Sequence, residues 1–342
     1  MKKLDTIDAD TLLSIPYEPL SFIVEDLLPQ GLHLLAGAPK IGKSWLALWL
    51  CLRVAQGEPL WNFATKSCEV LYLCLEDSFQ RIQSRLFDLT EVASPSLHFA
   101  VMAEQLHSGL VEQIEQFLWE HPATGLVVID TLQRIRAAGN EANPYASDYR
   151  DIGVLKALAD RHRIAVLLIH HLRKLNDDDP MNMISGTTGL SGATDSNFVL
   201  RRSKRRENTA TLYCTGRDIP YRELSLEFNS ETHIWNLLSD DCGQTEQSCG
   251  RVLSLLSALL QERPEISASA KTLLEKIDPD SAEGLTPNSF SHKLRKSVDA
   301  LRQSGIIVTF RKSNGERLIC LKRADGVDDL ATENTVTIVP VK

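Results

Sequence analysis

Residues 37–44 read GAPKIGKS, with glycines at the first and sixth places and a Lys-Ser pair closing the loop. A short apolar run, Leu32 to Leu35, precedes them, and a long helical pattern opens at Trp45. Strand, glycine-rich loop and helix in that order form a cradle for phosphate. Gly37 and Gly42 let the backbone turn so that successive N–H groups point inward, and the helix N-terminus adds its positive end. The loop residues Ala38, Pro39, Lys40 and Ile41, together with Trp45, complete the expected contact surface. Lys43 neutralises the β and γ phosphates, and the Ser44 hydroxyl is placed to ligate Mg²⁺. Residue frequencies alone would produce such a string in roughly one chain per hundred of this length, and the flanking strand and helix lower that further. The motif therefore predicts a nucleotide site.

The rest of the first two-thirds fits the same frame. VLYLCLE, LVVID and AVLLIHH are short runs apolar on both faces and separated by helical stretches, the signature of buried parallel strands. From Gly31 to about Leu238 the chain thus reads as an α/β domain with a mostly parallel central sheet. SNFVLRRS, ATLYCTG and ELSLEFN follow as a hairpin-rich extension with little helix. Residues 1–30 form a lead segment. Residues 239–248, polar and free of apolar period, read as a linker.

Two strands end in carboxylates. Asp130 closes LVVID, where an acid has no core role, and it is the expected second holder of magnesium beside Ser44. Glu76 and Asp77 close VLYLCLED; a carboxylate there can deprotonate water near the γ-phosphate. Glu76 is the expected base and Asp77 the alternative, while Asp77 or Ser78 also suits a cap for the helix that begins near Phe79.

Past the linker, three helical patterns and a hairpin pattern fill residues 249–323. Val252, Leu255, Leu256 and Leu259 share one face of the first helix, Ala270 to Ile277 form the second, and Thr286 with Pro287 opens the third. In that third helix Phe290, Leu294, Val298 and Leu301 recur at helical spacing before Gly305 stops it. IIVTFRKSNGERLICLKR then reads as two strands joined at Asn314-Gly315. Three small helices and a β-hairpin make a winged-helix pattern. The whole chain is acidic, with 37 Lys+Arg against 45 Asp+Glu, which argues against coating nucleic acid through the entire surface. Residues 249–323 reverse the sign, 13 basic against 8 acidic. His292, Lys293, Arg295, Lys296 and Arg302, with Arg311 and Lys312 near the wing, suit duplex DNA. Residues 324–342 read as a flexible acidic tail.

Seven cysteines, at 51, 68, 74, 214, 242, 249 and 320, form no C-x-x-C pair and read as reduced cytosolic thiols. No apolar run reaches the ~20 residues of a membrane span, and the N-terminus lacks a signal-peptide core. A cytoplasmic protein without membrane contact is expected.

The set GAPKIGKS, LYLCLEDSFQRIQSRL, LVVIDTLQRI, AVLLIHHLRK, SGTTGLSGATDS and TGRD resembles the RecA-like P-loop ATPases of the RepA replicative-helicase group, AAA-family ATPases of plasmids and mobile elements. The resemblance spans about residues 20–230. It implies ATP and Mg²⁺ as ligands, a catalytic acid at Glu76, and a polar γ-phosphate sensor at His170 with His171 beside it. It also implies a hexameric ring in which a cation from one subunit serves its neighbour, with Arg217 first and Lys204 second as candidates. In such rings the segment matching Arg173–Ser196 faces single-stranded DNA in a central channel. Asp177 to Asp179 are a departure from that role. The expected activity is ATP hydrolysis coupled to DNA replication; the alternatives are an ATP-switched DNA-binding initiator or regulator, or a loading ATPase without unwinding activity.

Overall fold

A computed structural model describes residues 4, 6–15, 20–136, 144–173, 177, 179–186, 188–202, 207–242, 255–257, 259–260, 264–278, 286–287, 290–291, 294, 298–303, 305–313 and 316–323. The chain divides into two compact units, Met1–Cys242 and Gly243–Lys342.

In the first unit, helix α1 (Ala9–Ser14) precedes a small hairpin, β1 (Phe22–Val24) and β2 (Leu28–Pro29). Strand β3 (Gly31–Gly37) leads into α2 (Lys43–Gln56), followed by β4 (Glu69–Cys74), α3 (Phe79–Leu89), β5 (Leu97–Ala100) and α4 (Val111–Glu120). Then come β6 (Thr124–Asp130), the short α5 (Leu132–Ile135), α6 (Pro144–His162), β7 (Ala165–His171), α7 (Thr188–Ala193) and β8 (Ser196–Arg201). Strands β9 (Thr209–Gly216), β10 (Arg222–Phe228) and β11 (Trp235–Asp241) close the unit.

Nine strands form one sheet in the order β11-β10-β9-β8-β3-β7-β6-β4-β5. From β8 to β5 every neighbouring pair is parallel, and from β8 to β11 every pair is antiparallel. All seven residues of β3 are buried, because helices cover both sides of the parallel half. Side chains alternate between two cores. One, with Leu35, Leu46, Val54, Tyr72, Val128 and Ile169, lies on the α2 side. The other, with Leu34, Leu71, Ile114, Val127, Leu155 and Leu168, lies under α4 and α6. In β9 and β10 burial instead falls on every second residue, as expected of strands covered on one face.

Two expected boundaries move. Residues 20–30 are not a separate lead segment: Ile23, Val24, Leu27 and Leu28 are buried in the α2-side core, and Val24 bridges to Thr65. The linker expected from residue 239 begins later, because β11 runs through Ser239, Asp240 and Asp241, with Asp240 paired to the buried Arg222 at 2.8 Å. Residues 243–248 lie outside the described residues.

In the second unit a three-stranded antiparallel sheet has the order β12 (Glu265–Ala268), β14 (Glu316–Arg323), β13 (Ile306–Ser313). Helices α8 (Ala270–Ile277) and α9 (Val298–Gln303) accompany it, and residues 255–257 and 259–260 are also helical. Ser269 caps α8 by accepting from Thr272 N. Leu256, Leu273, Phe290, Leu294, Leu301, Val308 and Leu321 make a separate core. Strand β12 is an addition to the expected pattern. The Asn314-Gly315 turn, His292, Lys293, Arg295, Lys296 and the tail 324–342 lie outside the described residues. Among the described residues no helix is long and apolar enough to cross a membrane.

Candidate active site

The phosphate loop leaves the C-terminal end of β3 and enters α2 through Gly42, whose φ of 109° is left-handed. A Cβ on Gly42 would stand 3.0 Å from the Trp235 indole nitrogen. Trp235, fully buried on β11, donates from that nitrogen to the Gly42 carbonyl at 3.3 Å. Glycine here serves both the turn and the close approach of the tryptophan. The first i→i−4 bond of α2 runs from Leu46 N to Gly42 O, so the N–H groups of Lys43, Ser44 and Trp45 have no intrahelical partner and face the loop. Lys43 Nζ donates to the Gly37 and Ala38 carbonyls at 2.8 and 3.1 Å. Burial pushes its pKa down to about 8, against the pull of Asp130 and Glu76.

Across the loop, Ser44 Oγ donates to Asp130 Oδ2 at 2.7 Å, and the buried Tyr72 hydroxyl donates to the same oxygen at 3.1 Å. Burial raises the Asp130 carboxyl above its usual range, opposed by those hydroxyls and more weakly by Lys43. A buried carboxylate held by hydroxyls beside the loop is a ready partner for a divalent cation. On the neighbouring strand end Glu76 is exposed, and its Oε1 accepts from Thr131 Oγ1 at 3.1 Å. Asp77 differs: its two oxygens are bound by Arg81 at 2.7 Å and Arg85 at 2.5 Å. Ser78 caps α3 through Arg81 N. Of the two acids, Asp77 is thus engaged by two guanidinium groups and Glu76 by one hydroxyl.

The ring of Trp45 stacks on His233 at 4.3 Å, and the Arg85 guanidinium lies 5.3 Å over it. Its side chain thus ties α2 to α3 and to the β10–β11 turn, which leaves its backbone N–H as its contact with the loop.

Strand alternation separates the two histidines. On β7, Leu167 and Ile169 join the α2-side core, whereas Val166 and Leu168 join the opposite one. His171 therefore projects to the α2 side, paired in register with Gly37, and His170 to the other side. There His170 Nε2 donates to Ser185 O at 2.9 Å. Burial, reinforced by nearby Arg136, pushes the His170 pKa down to about 4, so its ring is neutral at pH 7. Next to it, Arg136 pairs with Asp148 at 3.0 Å and Asp151 at 2.9 Å. The structure does not bring His170 onto the side that holds Lys43 and Asp130.

Arg217 lies at the other end of the sheet. Its N–H donates to Asp195 O, and its Nη1 stands 3.5 Å from Asp195 Oδ1 with the side chain 60% exposed. Asp195 Oδ2 accepts from Leu32 N at 2.8 Å and pairs with Lys156 at 2.9 Å. A Cβ on Gly31 would meet that carboxylate, which explains the glycine at the start of β3. Seven residues of strand, about 20 Å, separate this end from the phosphate loop. Lys204 lies outside the described residues. Asp177 and Asp179 have local work: Asp177 accepts from Asp179 N at 3.0 Å, and Asp179 caps a single helical turn, Pro180–Met183.

Tyr72, Thr131 and Trp235 are contributors that sequence reasoning missed. Tyr72 alone carried a signal, a hydroxyl in an otherwise apolar buried strand.

Comparison with known protein families matches residues 2–177, more than half of the 342, to the AAA domain family designated AAA_25. No curated protein sequence matches the chain. Among solved structures, one described as an ATPase domain is similar with a TM-score of 0.51 and 18% identity, over 61% of this chain and 85% of that one. A DnaB-like replicative helicase, solved with its interactions with primase, is similar with the same TM-score and identity, over 61% of this chain and 58% of that one. At that identity the likeness is one of fold, the RecA-like core. Phosphate loop, fold and family match agree, and the chain belongs to the AAA domain family as a P-loop ATPase.

Proposed function

We propose that the protein is a Mg²⁺-dependent ATPase of the RepA replicative-helicase type, assembled head-to-tail into a hexameric ring that works on DNA in replication. The observation that carries the reading is the Ser44–Asp130 hydrogen bond at 2.7 Å with exposed Glu76 at the adjacent strand end. Ser44 and Asp130 would hold the magnesium, which when bound withdraws charge from the β and γ phosphates. The loop N–H groups and Lys43 bind those phosphates. Glu76, steadied by the Thr131 hydroxyl, takes the proton of the water that attacks the γ-phosphorus as the bond to the β-bridging oxygen breaks. His171, on the face of Lys43, takes the sensor role in preference to His170. Arg217, about 20 Å from its own loop along β3, would serve a neighbouring subunit's nucleotide. The DnaB-like relative is a replicative helicase by its description, which supports DNA as the partner.

The test is steady-state ATP turnover with and without single-stranded DNA, with Lys43→Ala as the blank. Turnover that depends on Lys43 and rises with single-stranded DNA supports the motor. Lys43-dependent turnover indifferent to single strands overturns it.

One observation favours a second reading, in which ATP switches a DNA-binding initiator or regulator or a loading ATPase without unwinding. The second unit has its own core and interposes β12 between helices ahead of the β13–β14 pair, an order that suits a winged helix and duplex DNA. Sequence-selective duplex binding without single-strand stimulation is the result expected of it.

A further inference from the structure

We propose that Glu69, His98 and His121 form a binding site for a divalent metal ion of the zinc class, structural in role and separate from the nucleotide site. One ligand atom from each of the three lies within 4.8 Å of the others, and all three residues are half-buried.

The fold brings them together from three elements. Glu69 is the first residue of β4, and it shares a face with Leu71, two residues on. His98 on β5 is the cross-strand partner of Leu71, so its ring stands on that face too. Helix α4 packs there through Ile114 and Leu118, which join Leu71 in one core, and His121 is its C-terminal cap. The His121 backbone is fixed on both sides: its N–H donates to Phe117 O at 2.8 Å, and its carbonyl accepts from Thr124 N at 3.0 Å and Thr124 Oγ1 at 2.7 Å.

The spacing is that of a coordination sphere nearly formed. Zinc bonds of 2.0–2.1 Å in tetrahedral geometry set neighbouring ligand atoms about 3.3 Å apart. Glu69 Oε2 and His121 Nδ1 are already 3.0 Å apart, and the remaining approach is within the reach of side-chain rotation. His98 supplies the independent pointer: its Nε2 is buried and lacks a hydrogen-bond partner among the described residues. Such a nitrogen calls for an explanation, and a bound ion is one. Phe117 stacks on His121 at 4.3 Å and meets His98 edge-on at 5.2 Å, an apolar wall on one side of the site. Two imidazoles and a carboxylate suit zinc better than magnesium or calcium, with water in the fourth place.

The location argues the role. Strand β5 ends the sheet, and an edge strand is the part of a sheet most in need of cover. Glu69 is five residues back along β4 from Cys74, the register partner of Asp130, so the site lies at the opposite strand end from the magnesium ligands. A metal here would clip β4 and β5 to the end of α4.

The experiment strips the full-length protein with a chelator and titrates it with Zn²⁺, and in parallel with Co²⁺ as a spectroscopic probe, without nucleotide. The expected result is a single equivalent bound, a four-coordinate Co²⁺ spectrum, and a rise in unfolding temperature with Zn²⁺. In His98→Gln and in His121→Gln affinity falls by at least about tenfold and the temperature rise disappears, while ATP binding is kept. Ser44→Ala, which alters the nucleotide site, binds Zn²⁺ as the wild type does. Should a histidine variant fail to fold, Glu69→Gln, a near-isosteric change at a half-buried position, is the deciding variant. No binding at micromolar Zn²⁺, or binding that survives all three substitutions, overturns the proposal and leaves Glu69 and His121 as a hydrogen-bonded pair packed beside His98.

Discussion

Past the C-terminal ends of β4 and β6 two acids have hydroxyl partners, Asp130 with Ser44 and Tyr72 and Glu76 with Thr131, whereas Asp77 is taken by Arg81 and Arg85. At the N-terminal end of β3 the reverse holds, since one buried carboxylate, Asp195, is met by Lys156, Arg217 and the Leu32 N–H. Asp130 and Glu76 are held by hydroxyls and not by salt bridges, although Lys43 acts on both from the loop, and such carboxylates are prepared for a metal or a water. A carboxylate with two cations can release one, and the more distant and exposed of the two is Arg217. Under the proposed head-to-tail assembly, the cation-rich end of one copy would meet the acid-rich end of the next. About 20 Å of strand separates the two ends, so in that assembly Arg217 would act on a neighbour's nucleotide and not on its own.

Arg217→Ala tests that division most severely. Turnover is expected to fall by about 10³-fold or more, while Lys156 and the Leu32 N–H still hold Asp195 and the fold survives. In mixtures with wild-type protein, activity should drop faster than dilution, because each variant subunit disables its neighbour's site. A linear drop in the steady-state rate would mean that the two ends do not meet.

Glu76→Gln probes the near end alone. A loss of about 10² to 10⁴-fold in turnover with ATP binding retained is expected of a general base. The matched variant, Asp77→Asn, should keep turnover within a few-fold, because Asp77 is committed to Arg81 and Arg85. If Asp77→Asn gave the larger loss in the same assay, the assignment of the two acids would be reversed.

The near end was legible in the sequence because its residues sit at fixed places relative to strands that are apolar throughout. GAPKIGKS, Asp130 and Glu76 each follow such a strand, and a strand end is easy to find when every residue before it must be buried. His170 and His171 show the limit. Both follow the same apolar run, and only the parity of β7 against the two cores tells which faces Lys43; a strand buried on both sides carries no alternation to reveal it. Strand β11 was hidden for the opposite reason: in WNLLSDD only Trp235 is buried, so the run shows neither apolar continuity nor period two. Four-residue β12 is held by its pairing with β14, a long-range contact that leaves little local pattern.

The smallest effect expected is on stability in mild acid, and it separates the two ends by a different property. His33, fully buried near the start of β3, donates from Nε2 to Pro29 O at 2.7 Å, and burial pushes its pKa down to about 4. Its ordinary value is about 6.5, so above that pH the ring is neutral in both folded and unfolded chains and stability is unaffected. Below it the unfolded chain gains a proton that the folded chain refuses, and stability is lost as pH falls from about 6.5 toward 4. By pH 5 the loss from this one ring is about 2 kcal/mol. His170 titrates in the same window at the other end of the sheet. His33→Gln, whose amide can still donate to Pro29 O, should therefore flatten part of the decline in urea midpoints between pH 6.5 and 5 and leave turnover at neutral pH unchanged. If turnover fell with it, the far end of β3 would be coupled to the phosphate loop within one chain, and the two ends of the sheet would not act separately.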